Sequence, residues 1–152
     1  EPLEIERKFL LNGLPDEARE APNVRIEQGW LAGETIRERL RRVSDASGER
    51  FYRTIKLGTG LTRAEYEESI SREMFEPLWP LTAGCRIEKR RYKILEGERL
   101  WEIDVFEGHD LVTAEVELPS PDAALELPAW LARCLVREVT GDPAFSNLNL
   151  AR

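Results

Sequence analysis

Along this chain apolar and polar positions alternate with period two, as they do in strands that bury one face. The opening stretch LEIERKF sets Leu3, Ile5 and Phe9 against Glu4, Glu6 and Lys8. Comparable segments recur at 2–11, 24–31, 35–44, 50–57, 63–71, 86–95, 99–107 and 111–118. Turn sequences separate many of them: AGE at 32–34, DASGE at 45–49, LGTG at 57–60 and LEGE at 95–98. Short connections of this kind favour antiparallel neighbours. Two stretches read as helices. The first, 71–84, opens on a capping Ser71 and carries Met74, Phe75, Leu78 and Trp79 on one face. The second, 121–135, has Pro128 near the start of its better half and turns Trp130, Leu131, Cys134 and Leu135 inward. The pattern predicts an α+β chain that is mainly β, with eight antiparallel strands and short helices packed outside.

Charge changes the picture. Charged residues make up 34% of the chain, well above the usual quarter, and they fall on one parity of nearly every strand. Arg37, Arg39 and Arg41 alternate with Ile36 and Leu40; Lys56 lies opposite Ile55 and Leu57. Arg63, Glu65 and Glu67 share a parity, as do Lys89 and Arg91, Glu102 and Asp104, and Glu115 and Glu117. A solubility surface mixes the signs of its charges. Here Arg pairs and acid pairs sit on separate strands. Eight antiparallel strands can close around a space that holds side chains or one small ligand. Such a lumen would carry seven bases (Lys8, Arg39, Arg41, Lys56, Arg63, Lys89, Arg91) and eight acids (Glu4, Glu6, Glu65, Glu67, Glu102, Asp104, Glu115, Glu117). Arg and Lys bind phosphate oxygens, whereas carboxylate pairs hold Mg²⁺ or Mn²⁺. The expected contents are a polyphosphate and divalent cations.

The residues in order also resemble a known family. Glu4–x–Glu6–x–Lys8 is similar to the ExExK signature of the CYTH superfamily, the triphosphate tunnel metalloenzymes. The likeness continues through RLRRV at 39–43, TIK at 54–56, RAEYE at 63–67, EKRRY at 88–92, WEIDVF at 101–106, AEVELP at 114–119 and the tail 137–151. Phe145 departs from the Tyr common in the family's tail motif. The resemblance implies a single tunnel domain over 1–152, an eight-stranded antiparallel β-barrel lined by both signs of charge. It implies that Lys8, Arg39, Arg41, Lys56, Arg63, Lys89 and Arg91 cradle a triphosphate. Glu4, Glu6, Glu65, Glu67, Glu102, Asp104, Glu115 and Glu117 would hold metal, two Mg²⁺ or Mn²⁺ ions being expected. Lys8 or Lys56 would stabilise the transferring group, and Glu115 or Glu117 would accept a proton from the attacking water. Hydrolysis of inorganic tripolyphosphate to pyrophosphate and phosphate is the expected activity, nearest to the short bacterial inorganic triphosphatases. Thiamine triphosphatase, a class IV-type adenylyl cyclase and a polyphosphate- or nucleotide-binding sensor are the alternatives.

The remaining features set bounds. Acids exceed bases 29 to 22, giving a formal charge of −7, which argues against a nucleic-acid partner. No apolar run is long enough to span a bilayer and no signal sequence opens the chain, so a cytoplasmic enzyme without a membrane partner is expected, monomer or homodimer. Cys85 and Cys134 stand in no metal or redox spacing, and the single His109 lies in a turn-like stretch. The four tryptophans read as packing residues. Gly58 and Gly60 read as a turn, because no GK[ST] follows them.

Overall fold

The computed structural model describes residues 3–33, 37–57 and 62–152, without the side chains of Leu3, Glu4, Leu57, Thr62 and Arg63. The turn glycines at 58 and 60, Glu34 and the first residues of the expected 35–44 strand lie outside the described residues. Alternation becomes strand wherever it was expected: β1 Leu3–Leu11, β2 Asn23–Trp30, β3 Arg37–Asp45, β4 Gly48–Leu57, β5 Thr62–Ile70, β6 Arg86–Glu96, β7 Arg99–Phe106 and β8 Val112–Glu117. A ninth, β9 Leu135–Glu138, was not expected. All pairings are antiparallel, in the order β5-β4-β3-β2-β6-β7-β8-β1-β9.

The sheet curls back on itself. The first residues of β1 pair with β5 through Leu3↔Ala64, Glu4↔Arg63 and Ile5↔Thr62, whereas its last residues pair with β9. The wall is therefore stitched over three residue pairs, and a curled tunnel results rather than a barrel closed along its whole length. Register carries the charges inward together, because directly opposed residues share a face. Lys8 faces Glu115, Glu115 faces Glu102, Arg41 faces Gln28, and Lys56 faces Glu65.

The opposite parity builds the core on the outside of the tunnel. Phe9, Leu11, Trp101, Ile103, Ala114 and Val116 pack under Trp130 and Leu131 of the segment that contains α2 (Ala129–Ala132). Each buried aromatic removes on the order of 150–250 Å² from water. Leu40, Phe51 and Phe75 form a second cluster beneath α1 (Arg72–Leu78). Ser71 caps α1 by accepting a hydrogen bond from the Met74 amide, as expected. The helix ends at Leu78 rather than running to 84, because Pro77 and Pro80 each remove a backbone donor. The chain continues as a 3₁₀ turn over Trp79–Thr82, which approaches β2 so closely that a Cβ at Gly29 would sit 2.5 Å from Thr82 Oγ1.

The expected 121–135 helix shrinks to the four residues of α2. Pro128 pushes Leu127 out of the helical region, so the earlier half cannot join it. A third cluster occupies the charged parity itself. Trp30, Ile87 and Phe106 pack against Ala151 of α3 (Asn147–Ala151), so the last helix lies across one end of the tunnel. Among the described residues no helix is long and apolar enough to cross a membrane.

Candidate functional site

The tunnel encloses a cavity of about 640 Å³. Seven bases line it, Lys8, Arg37, Arg39, Arg41, Lys56, Arg91 and Arg99, with seven carboxylates, Glu6, Glu65, Glu67, Glu98, Glu102, Glu115 and Glu117. The tail contributes Ser146, Asn147 and Leu148. Eleven of the residues expected in the lumen are therefore on its wall. Glu4 and Arg63 fall outside the described side chains, although their backbones pair with each other.

Lys89 and Asp104 are placed differently from the expectation. Both are wholly buried, and neither reaches the cavity surface. Arg91 donates two hydrogen bonds to Asp104, Nε to Oδ1 and Nη2 to Oδ2, both at 2.8 Å. Lys89 Nζ lies 2.8 Å from Asp104 Oδ2, close enough for an ion pair but not aligned as a hydrogen bond. The three form a floor beneath the lumen. Burial opposes the charge of Asp104, yet Arg91 and Lys89 outweigh it and keep the carboxyl below its ordinary value. The same pairing holds Arg91 firmly protonated against the desolvation it suffers. Lys89 goes the other way: burial exceeds the pull of Asp104 and lowers it to about 7.

Above the floor, Glu115, Glu102 and Glu65 are set among cations. Glu115 Oε1 lies 3.5 Å from Lys8 Nζ and 3.9 Å from Arg91 Nη2. Burial alone would raise Glu115, but Lys8, Arg91, Lys89 and Lys56 hold it well below the usual carboxylate range. Lys8 is fixed from the other side by donating to the Phe145 carbonyl at 2.9 Å. Glu102 stands 3.5 Å from Arg91, and Glu65 lies 3.7 Å from Arg39 and 3.9 Å from Lys56. Arg39 is 1% exposed and donates to Thr54 Oγ1 at 3.2 Å. Burial, and then the charge of Arg41, push Arg39 down to about 9. Desolvation followed by Arg91 lowers Arg41 as well. A crowd of cations that suppress one another's protonation is primed for a polyanion.

Direction and sign give a test. A bound triphosphate brings negative charge and raises Lys89, which burial has brought down to about 7, so just above neutral pH the complex holds more protons than the free protein. Triphosphate binding is expected to take up a fraction of a proton between about pH 7 and 8 and to weaken as pH rises through this window. Calorimetry in buffers of different ionisation enthalpy measures the uptake; proton release on binding would contradict it.

Four contributors stand outside the set expected in the lumen. Arg37 lies on the expected parity, two residues before Arg39, and that spacing was its available signal. Glu98 and Arg99 sit at the β6–β7 turn, where alternation gives no direction. Gln28 is uncharged, so a search for charges passes over it. It is fully buried on β2 and accepts a hydrogen bond from Arg41 Nε at 3.1 Å.

The donor set suits a hard cation. Glu6 and Glu117 face each other across β1 and β8, which brings two carboxylates together on the wall of the cavity. Among the described residues no three metal-binding side chains converge.

No protein-family model matches the chain. An inorganic triphosphatase of Nitrosomonas europaea is 43% identical over 156 residues, covering 97% of this chain and 96% of that protein. One from Acetivibrio thermocellus is 38% identical, covering 98% of this chain and 93% of that protein. The crystal structure of the inorganic triphosphatase NE1496 superposes with a TM-score of 0.67 at 39% identity, over 97% of this chain and 93% of the other. A putative adenylate cyclase from Bacillus halodurans shares the fold alone, at 15% identity and a TM-score of 0.53 over 80% and 84% of the two chains.

Proposed function

The chain belongs to the inorganic triphosphatases, within the CYTH superfamily, and from that premise we propose that it hydrolyses inorganic tripolyphosphate to pyrophosphate and phosphate in the tunnel. The observation that carries this reading is the lumen, where seven bases and seven carboxylates are gathered by strand register around one cavity. Arg39, Arg41 and Arg91 grip the phosphates, Arg39 and Arg41 from the β3 wall and Arg91 from the floor. Lys8 and Lys56 stand as point charges against the phosphoryl group in flight. Phosphoryl transfer asks the protein mainly for positioning and charge stabilisation, and this wall supplies both.

Glu6 and Glu117 would hold the Mg²⁺ or Mn²⁺, with Glu65 and Glu67 facing them from the β5 wall. Glu4 joins this set on the strength of its place two residues before Glu6. When bound, the ion acidifies a water and offsets phosphate charge. Asp104 does not belong to the metal set, because both its oxygens are committed to Arg91 and Lys89. Its part is to keep the floor cations in place. Lys89 therefore acts through charge from beneath the substrate rather than by contact. Glu115 is a poor proton acceptor, since its cations hold it ionised far below neutral pH. A phosphate oxygen, with a second pKa of about 6, takes the water's proton more readily. We place the reaction in the cytoplasm, where the free Cys85 and Cys134 would stay reduced.

A panel of tripolyphosphate, ATP and thiamine triphosphate with Mg²⁺ or Mn²⁺ tests the substrate. The expected result is a kcat/KM for tripolyphosphate at least roughly tenfold above the other two, with activity lost to chelator. Equal or faster turnover of ATP would assign the tunnel to nucleotides instead.

A further inference from the structure

Lys8, Arg39, Lys56 and Arg91 each stand within 4 Å of a carboxylate oxygen. Arg41 does not: among the described residues its one hydrogen-bond partner is neutral, the Gln28 side-chain oxygen 3.1 Å from Arg41 Nε. The amide orientation follows from the chemistry. Arginine can only donate, so the Gln28 atom facing it must be the oxygen. That leaves Gln28 Nε2 buried with no hydrogen-bond partner. A glutamate of the same shape would remove the orphaned donor and give Arg41 an anion. It would do so by burying a second charge in the wall, which the neutral amide avoids.

We infer that Gln28 is a positioning residue, which fixes the guanidinium of Arg41 through a neutral bond and leaves it with no carboxylate in contact, available to a phosphate group of the substrate. Arg41 is then an anion anchor set in place on the β3 wall before substrate arrives. Lys8, Arg39, Lys56 and Arg91 share their charge with resident carboxylates and respond as those carboxylates engage metal. This inference rests on the triphosphate reading of the same cavity.

The test compares Gln28→Glu with Gln28→Leu. Gln28→Glu is expected to raise the tripolyphosphate KM, and the Kd measured by calorimetry in chelator, by roughly 10- to 100-fold. Its kcat should change much less. Gln28→Leu, which frees Arg41 to reorient without supplying an anion, should weaken binding by a smaller factor. If Gln28→Glu binds tripolyphosphate as the parent does, or if either variant lowers only the melting temperature, Gln28 is mere packing and the inference fails. A parent protein that binds tripolyphosphate without hydrolysing it would defeat the proposed activity, while the Kd comparison would still decide the role of Gln28. No binding by the parent would overturn both.

Discussion

Asp104→Ala is expected to destabilise the metal-free protein by about 3–5 kcal/mol, the usual cost of removing one partner from a buried ion pair. The reason lies in the floor of the tunnel. Asp104 is the carboxylate that both Arg91 and Lys89 touch at 2.8 Å, and Lys89 and Asp104 have no exposure to water. Without it the Arg91 guanidinium, nearly buried, keeps only the more distant Glu102 and Glu115 at 3.5 and 3.9 Å. For a chain of this size the loss should lower the melting temperature by roughly 10 °C, read by circular dichroism in chelator. Asp104→Asn keeps the shape and an acceptor and should cost less. A metal ligand behaves in the opposite way: removing a carboxylate from a cluster of acids relieves repulsion in the apo protein, and the damage shows only when metal is present. An apo melting temperature unchanged in Asp104→Ala would return Asp104 to the metal set.

Arg39→Ala is expected to reduce kcat for tripolyphosphate by about 10²–10³, the range seen when one preorganised donor is removed from a site of developing charge. Arg39 is held by Thr54 and faces Glu65, so its fork is set before substrate arrives. Arg39→Lys should recover little, because a point charge on a flexible stem does not reproduce two parallel donors. Burial depresses this guanidinium to about 9, which marks it as a charge kept in the wall against its preference. A kcat/KM within about fivefold of the parent, in a variant that folds, would remove Arg39 from the machinery.

The strands and the direction of their side chains were legible because period-two alternation is written into each of them, and charge on one parity told which face looked inward. What alternation cannot state is depth. Lys89 and Arg91 share a parity, and so do Glu102 and Asp104, yet one of each pair reaches the cavity and the other closes over beneath it. The difference comes from where each residue lies along the tunnel axis, which depends on the register of every neighbouring strand. Trp30, Ile87 and Phe106 show the same limit, for they occupy the charged parity where the lumen is filled by the last helix. β9 was hidden for another reason. LVRE is four residues long, has no turn signal before it and becomes a strand only because the edge of β1 is free beside it. Gln28 was invisible to a reading of charges, although it stands directly opposite Arg41.

The central claim is that this lumen cuts a triphosphate rather than merely holding it. Incubating the protein with tripolyphosphate and Mg²⁺ or Mn²⁺, and separating the products by ion chromatography, tests it most directly. The lumen described above predicts one pyrophosphate and one phosphate for each tripolyphosphate consumed, with none formed in chelator. Tripolyphosphate that binds in the presence of metal and is recovered intact would contradict it.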